Sequence, residues 1–105
     1  MQHFSVPFKS LNVPLTTSLW IYSVHSNNAE LFHFLEENMP EPSPELQKDI
    51  FEESIKCHHN NFANYIINNY KISEDDIISC IFGYRNYSFF SYDFDFKSEI
   101  YYLSL

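Results

Sequence analysis

Cys57, His58 and His59 form the run of residues in this sequence that is most capable of chemistry. Thiolate and imidazole groups are common zinc ligands, but zinc sites usually draw on pairs separated by roughly two to five residues. Adjacent side chains on a helix point about 100° apart. Three consecutive side chains therefore do not readily converge on one ion, and we expect neither a metal nor another cofactor.

Cys57 could also act as a nucleophile beside a histidine base. A reactive cysteine needs a lowered thiol pKa, whereas Cys57 falls near the predicted C-terminal end of a helix, where the helix dipole raises it. The sequence has no recognisable oxyanion-hole loop and no Asn or Asp placed to orient a histidine. We therefore expect no enzymatic activity, and a small metal- or thiol-dependent enzyme is only a remote alternative.

Pairs of neighbouring acids are a third candidate, because carboxylates can serve as glycosidase catalysts or calcium ligands. Such pairs on helices more often form a solvated face, and the spacing and glycine of an EF-hand loop are missing. We interpret three pairs as solvent-exposed: Glu36-Glu37, Glu52-Glu53 and Asp75-Asp76.

The charge balance limits the classes of partner. Fourteen acidic and six basic residues give a formal net charge of −8, so the chain lacks the basic footprint that nucleic acids and anionic membranes require. The sequence has no apolar run long enough to span a membrane and no signal-peptide pattern. We expect an intracellular, cytoplasmic protein whose two cysteines stay reduced.

The composition of the chain and the positions of its prolines predict the helices and links that would position Cys57, His58, His59 and the acidic pairs. The chain is 45% hydrophobic and has one glycine, which favours a packed helical domain over tight hairpins. Residues 1–17 read as an extended lead-in, and a proline-rich link joins two helical stretches at 18–38 and 46–70. A further helix is predicted over 73–90, and residues 91–105 form an acidic-aromatic segment ending in the start of another repeat helix.

The two helical stretches are similar to each other at a shift of 31 residues. Self-similarity at a period near thirty residues is typical of stacked-repeat proteins. We assign copy one to residues 18–44 and copy two to residues 45–72. The matching apolar pairs are Leu19 with Ile50, Trp20 with Phe51, Val24 with Ile55, Leu31 with Phe62, Phe34 with Tyr65, and Leu35 with Ile66.

Each copy has the pattern of two helices separated by a tight turn. Apolar residues recur at helical spacing in both halves, and Asn27-Asn28 and His59-Asn60-Asn61 interrupt the copies at equivalent places. Asn tolerates the left-handed conformation that ends a helix. The spacing predicts antiparallel helices at about 18–27 and 28–38, and at 45–57 and 60–70.

Two serines give helix start signals. Ser43 precedes Pro44 and Ser73 precedes an acidic first turn, the patterns of an N-cap. Neither helix pair can bury its apolar stripe alone, so the pairs must stack. Seven residues are predicted to form the shared core: Trp20, Leu31, Leu35, Phe51, Ile55, Phe62 and Ile66.

The copies resemble the ankyrin repeat. Trp20 falls at the Leu of that family's Thr-Pro-Leu-His motif, Ser23 and Val24 at its paired Ala positions, and Asn27-Asn28 at its Gly-His turn. The tetrapeptide and the turn glycine themselves are absent, and the period is 31 residues, whereas ankyrin repeats have about 33.

More narrowly, the runs 18–38 and 54–60 resemble an uncharacterised domain that precedes ankyrin repeats in large protist ankyrin-repeat protein families. The resemblance covers roughly residues 14–105 and carries no known activity. The fold class it implies is all-α, with stacked antiparallel helix pairs forming a fragment of an ankyrin-like solenoid.

The resulting functional hypothesis is a non-enzymatic scaffold that binds a protein partner through exposed leading-helix and loop positions. A net acidic surface with an aromatic suits a polar, basic partner. The runner-up is a structural N-terminal cap of a longer ankyrin array with no binding role, and we also expect self-association through the apolar residues 100–105. The candidate partner-binding residues are Tyr22, His25, Met39, Glu41, Glu53 and Lys56.

Overall fold

The structure, a computed structural model, describes residues 15–91, and within them it contains helices and no strand. The predicted all-helical fold class is therefore confirmed for this part of the chain. Five α-helices are followed by a short 3₁₀ helix. Their bounds are α1 Leu15–His25, α2 Ala29–Asn38, α3 Pro44–Lys56, α4 Asn60–Asn69, α5 Glu74–Gly83 and the 3₁₀ helix Tyr87–Ser91.

Side-chain caps begin three of these helices. The Ser43 Oγ accepts a hydrogen bond from the Leu46 amide, and the Ser73 Oγ accepts one from the Asp76 amide. Both serines act as the predicted N-caps, each satisfying one amide that has no partner within its helix. In copy one the Asn28 side chain does the same for α2.

The turn inside each pair is a Schellman motif that places one residue in the left-handed region. Asn27, His58 and Arg85 have φ values of 57°, 60° and 57°. In each turn this residue donates its amide to the carbonyl three residues back, and the next residue donates to the carbonyl five residues back. Left-handed backbone reverses the chain without glycine, and only the first turn uses an Asn for it.

The predicted helix over 73–90 was too long, because a third turn interrupts it. Helix α5 ends at Gly83, Arg85 takes the left-handed conformation, and the chain resumes as the 3₁₀ helix Tyr87–Ser91. Residues 73–91 therefore form a third unit of helix, left-handed turn and helix, in which the second element is a 3₁₀ helix. At the other end, α1 starts at Leu15, three residues before the predicted first copy.

The pairs stack in chain order. We call the first helix of each pair its leading helix. The leading helix α1 packs against the leading helix α3, and α3 packs against the leading helix α5. Each leading helix also carries its own second element, which is α2 on α1, α4 on α3 and the 3₁₀ helix on α5. This is the connectivity of a helical stack whose units contact their neighbours. We call the contact between the first two pairs the first junction and that between the last two the second junction.

The core runs continuously through both junctions. Six of the seven predicted core residues are buried, but Leu31 is only partly buried and its neighbour Phe32 is fully buried instead. The Phe32 ring lies 5.1 Å from the ring of Trp20 and 5.1 Å from that of Phe62, edge to face in both pairs. Phe32 therefore links the two copies, and α2 is rotated by about one residue from the predicted stripe.

Two aromatic residues of the helices face solvent, although Phe34 was expected on an apolar stripe. Phe34 is 55% exposed on α2, and Phe82 is 48% exposed on α5. An apolar residue is covered only where a neighbouring helix reaches it, which helical spacing alone does not specify.

Some predictions lie outside the described residues. The lead-in up to residue 14, the segment after Ser91 and the self-association assigned to residues 100–105 are among them. In residues 15–91 no helix is long and apolar enough to cross a membrane.

Candidate functional site

The six predicted partner-binding residues do not form one surface. His25, Glu53 and Lys56 come together where the leading helices α1 and α3 end. Met39 and Glu41 lie in the link between α2 and α3, where they line a cavity. Tyr22 is half-buried on α1, one turn before His25.

The first group includes a contact that sequence spacing did not predict, between His25 of α1 and two residues of α3. The His25 Nδ1 lies 2.7 Å from the Glu53 Oε2, and the Cys57 Sγ donates to the same oxygen at 3.3 Å. The Cys57 Sγ is 3.5 Å from the His25 Nδ1. An imidazole, a carboxylate and a thiol therefore meet at one point, which we call the His-Glu-Cys cluster.

Local structure explains how two of these side chains converge. Glu53 and Cys57 are four residues apart on α3, so they lie one above the other on the same helix face. Cys57 is the C-cap residue of α3, and His25 is the last residue of α1. The packing of α1 against α3 brings the third side chain from 28 residues earlier in the chain.

His59 holds the end of α1 in place. Its Nε2 donates to the backbone carbonyl of His25 at 3.0 Å. His58 is exposed, in the left-handed position of the turn. The consecutive run 57–59 thus divides into three separate roles, as expected for side chains that point in different directions.

The electrostatics of the cluster favour a carboxylate and a protonated thiol. Burial raises the pKa of the Glu53 carboxyl, but hydrogen bonds from His25, Cys57 and Lys56 outweigh this and hold the pKa below its ordinary value. Burial raises the pKa of the Cys57 thiol, and its hydrogen bond to Glu53 raises the pKa further. Lys56 contacts the other carboxylate oxygen, with its Nζ 3.3 Å from Oε1.

This arrangement is better suited to holding a cation than to nucleophilic attack. A thiol nucleophile needs a depressed pKa, whereas that of Cys57 is raised and its proton points to a carboxylate. The three donor atoms lie within 4.8 Å of one another, so they could share one metal ion. The second thiol, that of Cys80, is free and buried, and burial raises its pKa to about 11.

The second group lines a cavity of about 260 Å³ at the opposite end of the first junction. Trp20 is 1% exposed and forms part of the cavity wall, while Met39 and Glu41 are exposed. Apolar and acidic side chains therefore share one concave site. The lining residues are Trp20, Glu36, Met39, Pro40, Glu41, Pro42, Asn69 and Tyr70.

Glu36, in the cavity wall, joins the two pairs through tyrosines. The hydroxyls of Tyr65 and Tyr70 donate to its carboxylate, with the shortest distance 2.5 Å from Tyr70. Burial and these hydrogen bonds raise the pKa of both tyrosines. The sequence reasoning missed this network, since Glu36 read as half of an exposed acidic pair. A carboxylate near tyrosines 29 and 34 residues later gives no local signal.

Comparisons with protein-family models, curated proteins and solved structures found no match to this chain.

Proposed function

We propose that this chain is a non-enzymatic, ankyrin-like helical scaffold that works inside the cell by binding a protein partner. The observation that carries the proposal is the cavity at the first junction, where an apolar wall meets acidic side chains on a stack of helix pairs. Stacked repeats commonly bind partners on surfaces that several units build together.

The chemistry of the cavity indicates the kind of partner. Met39 and Pro40 offer exposed apolar contact over the buried Trp20 and Pro42, and the exposed Glu41 carboxylate lies at the same site. A short segment with a Lys or Arg beside an apolar side chain would satisfy both. The formal net charge of −8 adds a field that attracts basic segments to the whole chain.

The remaining predicted residues give the partner a second area of contact. His25 and Lys56 are exposed at the ends of α1 and α3. Their side chains surround Glu53, so this area is mixed in charge and suits polar contacts more than a basic anchor.

A peptide selection tests the proposal. The purified full chain is used to select from a library of displayed random peptides, and the selected sequences should be enriched in Lys or Arg next to an apolar residue. The variant Met39→Ala/Glu41→Lys should weaken binding at least roughly tenfold, which corresponds to about 1.4 kcal/mol. Asp75→Lys makes the same charge change at an exposed position of α5 and should have little effect.

Enrichment of acidic peptides, or equal losses for the two variants, would contradict the proposal. The structural-cap hypothesis makes a different prediction. If the chain only ends a longer ankyrin array, the selection should yield nothing that depends on Met39 or Glu41. Removing residues 18–72 from such an array should then lower its melting temperature while leaving its affinity for partners unchanged.

A further inference from the structure

We propose that His25, Glu53 and Cys57 form a binding site for one divalent transition-metal ion of the zinc class. This differs from the expectation of no metal, which rested on the geometry of the consecutive residues Cys57, His58 and His59. It does not depend on the proposed peptide cavity, because Met39 and Glu41 lie in a different part of the first junction, but it uses His25 and Glu53 of the second area of contact.

The donor set fits this class of ion. Imidazole nitrogen, carboxylate oxygen and thiolate sulfur are the three ligand types that zinc accepts, and three protein ligands leave one position for water or a partner's side chain. A thiolate ligand disfavours magnesium and calcium, which prefer oxygen. Glu53 and Cys57 are one helical turn apart, and His25 comes from the neighbouring helix.

The distances also fit. Zinc bonds of about 2.0 to 2.3 Å at tetrahedral angles place a nitrogen, an oxygen and a sulfur ligand roughly 3.3 to 3.6 Å from one another. The Cys57 Sγ already lies 3.5 Å from the His25 Nδ1 and 3.3 Å from the Glu53 Oε2. Only the 2.7 Å separation of His25 from Glu53 must open by several tenths of an ångström, which side-chain rotation of the exposed His25 allows.

The surroundings favour a cation. Helices α1 and α3 both end at the cluster, and the partial negative charge of two helix C-termini attracts positive ions. Lys56 is the opposing charge, but its Nζ contacts Oε1 of Glu53 and leaves Oε2 facing the other two ligands. Hydrogen bonding of His59 to the His25 carbonyl fixes the end of α1, in the way that outer contacts orient metal ligands.

Binding replaces two hydrogen bonds with metal bonds. The thiol proton of Cys57 leaves to solvent, and Glu53 contributes a carboxylate oxygen. The proton that the His25 Nδ1 shares with Glu53 moves by way of solvent to Nε2, so the neutral imidazole coordinates through Nδ1. Because the ligands come from two leading helices, the ion would clamp the first junction. Any ligand that binds the folded state alone raises the melting temperature.

The test uses Co²⁺ as a spectroscopic probe and Zn²⁺ as its competitor. The full chain is treated with chelator, kept reduced with a phosphine, and titrated with Co²⁺. We expect one Co²⁺ per chain, a thiolate-to-cobalt charge-transfer band in the near ultraviolet, d–d bands intense enough for four-coordination, and displacement by Zn²⁺. Zn²⁺ should also raise the melting temperature.

The variants Cys57→Ser, His25→Gln and Glu53→Gln assign the ligands. Cys57→Ser should abolish the charge-transfer band, and His25→Gln and Glu53→Gln should each weaken binding by at least roughly tenfold, the least that the loss of even an outer partner costs. His58→Gln changes the exposed neighbouring imidazole and is the matched control, with unchanged affinity expected. Circular dichroism is used to check that each variant is folded.

Three outcomes would overturn the proposal: no charge-transfer band with wild-type protein, one ion per two chains, or loss of binding in His58→Gln with retention in His25→Gln.

Discussion

The helix pairs on both sides of the two junctions contain turns of the same geometry, but the polar contacts of the two junctions differ in chemistry. In the first junction the described polar side-chain contacts between residues 15–39 and residues 43–70 involve ionisable side chains. They are those of His25, Glu53, Cys57 and His59 at one end, and Glu36 with two tyrosines at the other. In the second junction the ionisable contacts, Lys48 with Asp76 and Tyr84 with Glu52, each involve an exposed side chain. Its buried contacts are neutral, since the amide of Asn86 donates to the Ile55 carbonyl and to Asn60.

The residue that follows the left-handed position of the turn shows this difference in polar chemistry between the two junctions. His59 and Asn86 both follow the left-handed residue of their turn, and both donate to a carbonyl at the end of the preceding leading helix. Asn86 is fully buried and His59 is half-buried. The buried polar contacts of the second junction thus form a neutral network, whereas the partly buried contacts of the first include groups that protons, metals or partners can change.

The largest expected effect is the loss of the ring that joins the first junction. Phe32→Ala should destabilise the protein by about 3–5 kcal/mol, because removing a fully buried aromatic ring loses its packing contacts and creates a cavity. Phe34→Ala, two residues along the same helix and 55% exposed, should change stability by less than about 0.5 kcal/mol. Urea unfolding measures both. Equal losses would mean that α2 presents the other face to the core.

The next effect compares the two turn residues directly. Asn86→Ala should cost about 1–3 kcal/mol, because it removes two hydrogen bonds donated by a fully buried amide and leaves the Asn60 Oδ1 without this donor. His59→Ala should cost less, since water can replace its more exposed contact. If His59→Ala is the more damaging of the two in urea unfolding, the contrast between the junctions is wrong.

A smaller effect is expected at alkaline pH, from the tyrosines of the first junction. The folded-state pKa of Tyr70 is raised above its ordinary value of 10.0. The stability it contributes is therefore complete below pH 10 and is lost as the pH rises through the folded pKa. Tyr70→Phe should cost about 1 kcal/mol at neutral pH and should flatten the decline of stability above pH 10.

Tyr84→Phe serves as the control for that measurement. Its hydroxyl donates to Glu52 in the second junction, and this hydrogen bond raises its pKa, but the side chain is exposed. We expect a smaller change in the alkaline stability profile than for Tyr70→Phe. An equal change would show that burial of the Glu36 network contributes little.

The smallest expected effect is a gain in stability at the turns. Arg85 has a φ of 57°, which strains a residue with a Cβ, so Arg85→Gly should raise stability by about 0.5–1 kcal/mol after the entropic cost of glycine. Asn27→Gly should gain less, because Asn tolerates this conformation. Thermal melts compare the two. A loss of stability in Arg85→Gly would show that the arginine side chain stabilises the turn.

The sequence alone determined the helices, because the signals that begin and end them are local. The Ser43 and Ser73 caps act on amides three residues away, and the hydrogen bonds of the first two turns span no more than five residues. The hydrogen bonds of the third turn are equally local. Arg85 is a poor signal for left-handed backbone, however, so the pattern predicted a continuous helix across this turn. The 31-residue similarity predicted stacking because a single amphipathic pair leaves its stripe exposed.

Only the tertiary structure decided which faces meet. Phe32 is buried while Leu31 is partly exposed, since the neighbouring helix reaches one side of α2 and helical spacing cannot say which. His25 reaches Glu53 and Cys57 from 28 and 32 residues away, as the register of α1 against α3 brings them together. Such contacts depend on packing over the whole junction, and no pattern within one helix contains that information.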